Sequence, residues 1–220
     1  MVNVQNQVAK LSMAEKEIIY QTTNSYSTLN TLTEKTKTVW FICHGMGYLS
    51  RYFLKYFKEL NSEENYIIAP QAQSKYYIPP NFQHVGASWL TKENTLNETE
   101  NVMRYFDAVL NNELPKHCNI IVVGYSQGVS VAMRYIAKRK LQCSQLILMS
   151  GGIPKELTKE DFSFLNAKIT MIYGKNDEYL NADRISYEES RVQELFGGNI
   201  TILPFEGIHE VNVDLINKLV

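Results

Sequence analysis

Short apolar runs alternate with amphipathic stretches along most of this chain. Thr38-Val39-Trp40-Phe41-Ile42-Cys43 is almost continuously apolar, as expected of a strand covered on both faces. Five similar runs follow, at residues 66–69, 119–123, 145–149, 168–173 and 199–203. Between them apolar positions recur at helical spacing. One stripe is Val102, Met103, Phe106, Val109 and Leu110, and another is Val129, Ala132, Met133, Ile136 and Ala137. Ile185, Val192, Leu195 and Phe196 form a third, stopped by Gly197-Gly198, and Val211, Leu215 and Leu219 fit a closing helix. The alternation predicts an α/β fold with a mainly parallel sheet and helices on both faces. The first 36 residues differ. Residues 18–23 and 26–31 read as half-polar strands joined at Asn24-Ser25, an antiparallel edge hairpin. No repeat or flexible linker interrupts the chain, so one domain is expected, with edge strands in 1–36 and a core in 37–220.

In such sheets chemistry sits just beyond the carboxyl ends of the strands. After the third run comes Gly124-Tyr125-Ser126-Gln127-Gly128, a G-x-S-x-G between a strand and a helix. A sharp strand-to-helix turn forces the serine into a strained conformation and projects its oxygen above the sheet, while small neighbours avoid clashes. A serine hydroxyl needs a base, and the base needs an orienting acid, in the chain order Ser, Asp or Glu, His for an α/β-hydrolase. Gly174-Lys175-Asn176-Asp177 follows the fifth run and Glu206-Gly207-Ile208-His209 the last. Ser126 is therefore the expected nucleophile, His209 the base, opening the final helix, and Asp177 the orienter. Glu178 and Asp183 are the competing acids.

An acyl-transfer oxyanion needs two backbone N–H donors. Gln127 would supply one. The other falls in the glycine-rich loop His44-Gly45-Met46-Gly47-Tyr48, with Met46 the expected donor and His44 a structural residue. The aromatic stretch 76–89 lacks periodicity and reads as a long loop. Tyr76, Tyr77, Phe82 and Trp89 either wall a substrate pocket, with Tyr48, or cover the top of the sheet. His84 reads as a loop residue.

Five segments make the chain resemble the phospholipase/carboxylesterase family of α/β-hydrolases, the group that includes acyl-protein thioesterases. They are Cys43-His44-Gly45-Met46-Gly47, Gly124-Tyr125-Ser126-Gln127-Gly128, Ser150-Gly151-Gly152, Gly174-Lys175-Asn176-Asp177 and Gly207-Ile208-His209. The resemblance runs from about residue 38 to the C-terminus. It implies the α/β-hydrolase fold, the Ser126, Asp177 and His209 triad, oxyanion donors at Met46 and Gln127, and hydrolysis of an ester or thioester. The chain departs from the family at Tyr48, where an acidic residue is common, and at Trp89-Leu90-Thr91. Two rival functions use the same fold: a binding module without turnover, and an acyltransferase.

Composition adds exclusions. Among 220 residues, 22 are basic and 23 acidic, for a formal charge of -1, which lacks the basic bias of a nucleic-acid binder. No apolar run approaches the ~20 residues of a membrane span, and residues 1–17 lack the apolar core of a signal peptide. Three cysteines, Cys43, Cys118 and Cys143, fit a reducing cytoplasm rather than a disulfide framework. No metal-ligand spacing and no nucleotide-binding glycine pattern occurs, so no metal or cofactor is expected. The expected partner is a small-molecule ester or thioester, and a homodimer stays open.

Overall fold

Strands that are apolar at successive positions need cover on both sides, and the computed structural model shows what supplies it. It describes residues 14–115, 118–198 and 200–219. In chain order the elements are β1 (Tyr26–Leu29), β2 (Thr38–Cys43), α1 (Ser50–Phe53), β3 (Asn65–Pro70), β4 (Ser74–Tyr77) and β5 (Val85–Ser88). Then come α2 (Thr95–Glu113), β6 (Asn119–Tyr125), α3 (Gln127–Arg139) and β7 (Gln145–Met149). The chain closes with β8 (Lys168–Gly174), α4 (Ala182–Phe196), β9 (Ile200–Phe205) and α5 (Val213–Asn217).

Seven strands make one sheet in the order β1-β3-β2-β6-β7-β8-β9. All neighbours are parallel except β1 and β3. Successive side chains of a strand point to opposite faces. Val39, Phe41 and Cys43 of β2 accordingly join a core with Val102, Met103 and Phe106 of α2 and Val129 and Met133 of α3. Trp40 and Ile42 enter a second core with Phe53, Phe57 and Ile216. The Cys43 thiol is fully buried, and burial raises its pKa, so it is inert as a nucleophile.

The antiparallel edge is present, with its own pairing. β1 lies along β3, Tyr26 opposite Pro70 and Leu29 opposite Ile67. Residues 18–23 form no strand, and Ile18, Ile19 and Tyr20 are exposed, so a single strand pairs with β3 in place of a hairpin. The Tyr26 and Tyr66 hydroxyls both donate to the Glu113 carboxylate, at 2.6 and 2.5 Å, and tie that edge to α2. Residues 1–13 of the expected edge segment and Asn199, expected to open the last strand, lie outside the described residues.

The stretch 76–89 is more ordered than its sequence suggests. β4 and β5 form an antiparallel ribbon apart from the main sheet, with Tyr76 opposite Gly86. β5 lies against the loop after β2: Gly47 N–H donates to Ala87 O at 2.9 Å. A Cβ at Gly86 would stand 2.7 Å from Gly47 O, so this close approach requires glycine. Among the described residues no helix is long and apolar enough to cross a membrane.

Candidate active site

β6 ends at Tyr125 and α3 begins at Gln127, which leaves Ser126 alone at the corner. Its backbone has φ 53° and ψ -121°, a conformation costly for a residue with a side chain. Two hydrogen bonds hold it there, Ser126 N–H to Met149 O at 2.8 Å and Val129 N–H to Ser126 O at 3.1 Å. The turn is also very tight. A Cβ at Gly124 would approach Val129 Cα to 2.5 Å, and one at Gly128 would overlap the Cys43 carbonyl.

Two further loops converge on this corner. Lys175 N–H donates to Phe205 O and Asn176 N–H to Gly207 O, both at 2.9 Å, which straps the loop after β8 to the loop after β9. Asp177, 5% exposed, accepts from Tyr179 N–H at 2.8 Å and Leu180 N–H at 3.2 Å through Oδ1. Its Oδ2 is 2.7 Å from His209 Nδ1, and His209 Nε2 is 3.0 Å from Ser126 Oγ. Glu178 and Asp183 are exposed. His209 does not open the last helix, which starts only at Val213. It sits in a loop of bends instead, pinned where its carbonyl accepts from the Tyr125 hydroxyl at 3.0 Å. The Tyr179 ring meets its imidazole edge-on at 4.8 Å.

Across the corner lies the loop 44–48. The backbone N–H groups of Met46 and Gln127 have no acceptor among the described residues. Gln127 opens α3, so its N–H is one of the donors every helix start leaves unpaired. His44 is fully buried, with Nδ1–H donating to Gly45 O at 2.8 Å and Nε2 accepting from Ala72 N–H at 3.2 Å. Burial lowers its pKa to about 4, so it stays neutral and braces the loop.

A cavity of about 310 Å³ opens beside Ser126 and His209, walled by Ser150, Gly152, Leu180 and Arg184. The Ser150 hydroxyl in it is buried and has no hydrogen-bond partner among the described residues. A larger depression of about 570 Å³ near Asn30, Lys35 and Glu63 lies at the amino ends of the parallel strands. Its charged lining is Glu34 and an exposed Lys35–Glu63 pair, at the opposite end of the strands from Ser126.

A family model described as Phospholipase/Carboxylesterase matches residues 24–219. The chain belongs to the phospholipase/carboxylesterase family. Solved structures agree on the fold. Acyl-protein thioesterase 2 from Zea mays is similar at TM-score 0.68 and 13% identity, over 90% of this chain and 96% of that one. Esterase PE8 is similar at 0.67 and 20% identity, over 90% and 98%. A phospholipase/carboxylesterase from Dyadobacter fermentans DSM 18053 is similar at 0.61 and 19% identity, over 91% and 97%. At such identities the likeness speaks for the α/β-hydrolase fold alone. No curated protein matches the chain in sequence.

In this member of the family, the aromatic residues divide. Trp89 is fully buried, and its Nε1–H donates to His44 O at 2.7 Å, so it props the loop 44–48 from beneath. Tyr48 is half-buried, its hydroxyl 3.1 Å from that of Tyr56. Tyr76 and Phe82 are exposed on the ribbon, as is His84. None of Tyr48, Tyr76, Phe82 and Trp89 walls the cavity beside Ser126. Sequence reasoning missed the Gln127 side chain, whose Oε1 accepts from Trp89 N–H at 2.8 Å and whose Nε2–H donates to Leu90 O at 2.7 Å. This amide locks the serine turn to the segment after β5. The Ser-Gln pair of the motif was its only trace in the sequence.

Proposed function

We propose that this protein hydrolyses carboxylic esters or thioesters through an acyl-enzyme on Ser126, with His209 as base and then acid and Asp177 as orienter. The observation that carries the reading is the unbroken line from Ser126 Oγ to His209 Nε2 at 3.0 Å and from His209 Nδ1 to Asp177 Oδ2 at 2.7 Å. As the serine oxygen bonds to the carbonyl carbon, its proton passes to His209 Nε2. The carbonyl oxygen takes the electron pair and accepts from the Met46 and Gln127 amides, each worth roughly 3 kcal/mol in the transition state. The bond to the alcohol or thiol then breaks, and His209 protonates the departing atom. Water attacks the acyl-enzyme, gives its proton to His209, and the proton returns to Ser126 as the acid leaves.

Asp177 suits its part because two backbone N–H groups occupy Oδ1 and leave Oδ2 for the imidazole. A carboxylate held this way fixes the tautomer with Nδ1 protonated and stabilises the imidazolium. The cavity is at the small end of the ~300–1,000 Å³ range of ligand sites, which favours a compact substrate. The test is covalent labelling by a fluorophosphonate, alongside a chain-length series of 4-nitrophenyl esters. The expected result is one label on Ser126 and ester turnover, both lost in a folded Ser126→Ala. Folded wild-type protein that takes no label and turns over no ester of the series would overturn the reading.

A further inference from the structure

We propose that Arg184 sets the specificity of this site, and that the substrate is an ester or thioester with one arm ending in a carboxylate or phosphate. The inference rests on the hydrolase reading above. Arg184 sits in the first turn of α4, where its N–H donates to Asn181 Oδ1 at 2.9 Å. One turn later stands Glu188, fully buried, with Oε2 accepting from Ile153 N–H at 2.8 Å and Oε1 2.5 Å from Arg184 Nη2. A buried carboxylate needs a cation, so the pair holds the guanidinium at the cavity wall instead of letting it sweep through solvent. The Tyr187 ring backs it, 5.5 Å from Cζ. Gly152 makes the room: a Cβ there would stand 2.8 Å from Nη2.

Glu188 meets the guanidinium only at Nη2, as an ion pair. Nε and Nη1 have no acceptor among the described residues, and 42% of the side chain is exposed. In the same cavity lies the hydroxyl of Ser150, only 4% exposed and without a partner among the described residues. A buried hydroxyl left without a partner is unfavourable, so it too calls for an acceptor. The acids nearby do not answer: Asp177 is engaged by His209, Glu188 lies behind the arginine, and Glu178 and Asp183 are exposed outside the cavity wall. Two sets of unanswered donors beside Ser126 match one group with several acceptor oxygens and negative charge. An arginine fork binds carboxylate and phosphate in two-point fashion.

The test compares kcat/KM for charged and neutral partners. Mono-4-nitrophenyl adipate against 4-nitrophenyl hexanoate places a carboxylate on the acyl arm. 4-Acetoxybenzoate against its methyl ester places it on the leaving arm. 4-Acetoxyphenyl phosphate against phenyl acetate places a phosphate there. In wild type at least one pair is expected to favour the anion about 10-fold, and Arg184→Gln should bring that ratio down to about one. Because Arg184→Gln strands the buried Glu188, the double variant Arg184→Gln/Glu188→Gln is measured beside it and should show the same lost preference. No preference in any wild-type pair, or a preference that survives in a folded variant, overturns the proposal. Turnover of the neutral esters without that preference sinks this inference alone, whereas no turnover of any ester sinks the hydrolase reading as well.

Discussion

His44 has both ring nitrogens engaged and no exposed surface, and this gives a single residue a measurable effect on stability. Its pKa in the folded chain is about 4 against an ordinary 6.5. The unfolded chain therefore takes up a proton first as pH falls below 6.5, and the folded state loses stability until it too is protonated near 4. That interval corresponds to about 3 kcal/mol. Urea unfolding between pH 7 and pH 4 should show wild type losing stability more steeply than His44→Gln, by roughly this amount. Equal slopes would mean that the imidazole is not held neutral. Ser126 illustrates a different residue-scale effect. Its left-handed φ of 53° is maintained by backbone hydrogen bonds to Met149 and Val129 and by the room that Gly124 and Gly128 leave at the turn.

At the scale of elements, the junction of β6 and α3 has no slack. Gly128→Ala places a methyl group against the Cys43 carbonyl at the end of β2, so α3 must move or unfold locally. The expected cost is at least about 1–3 kcal/mol, as for other overpacked sites. Gly198→Ala is the control, since a Cβ there meets nothing within 4 Å. Thermal melts of both variants decide the matter, and equal melting temperatures would rule out the tight junction. The contrast also shows what could be read from sequence. The strands of the main sheet were legible because burial on both faces forces runs such as Val39-Trp40-Phe41-Ile42. The loops holding Ser126, Asp177 and His209 were legible because they follow those runs. β4 was not, since all four of its residues are exposed and its pairing with β5 depends on contacts to Gly47, distant in the chain. Residues 18–23 misled in the opposite direction. Ile18, Ile19 and Tyr20 have the side chains of a strand, but they stand exposed and pair with no strand among the described residues, although the outer edge of β1 is open. Arg184 gave no signal, because an arginine on a helix surface looks ordinary until a buried Glu188 is found behind it.

For the molecule as a whole, Phe106 joins parts that the chain keeps apart. Its ring contacts Phe41 of β2 at 5.0 Å, Tyr135 of α3 at 5.3 Å and Trp89 at 5.3 Å. Phe106→Ala should cost about 3–5 kcal/mol, read as a lower urea midpoint at unchanged slope. A loss under 1 kcal/mol would show that the surrounding rings close over the gap. The strand order has a consequence of another kind. β2 pairs with β6 from Thr38 opposite Asn119 to Cys43 opposite Gly124, across roughly 80 residues of sequence. At the ribosome, β2 thus emerges before both partners, and after β3 has followed, the backbone N–H and C=O groups of its other edge still stand unpaired. At synthesis rates of about 5–20 residues per second its partner follows on the order of 4–16 s later. During that interval the nascent chain offers a ready template for a neighbouring chain, so crowding of nascent chains on a polysome is expected to promote aggregation.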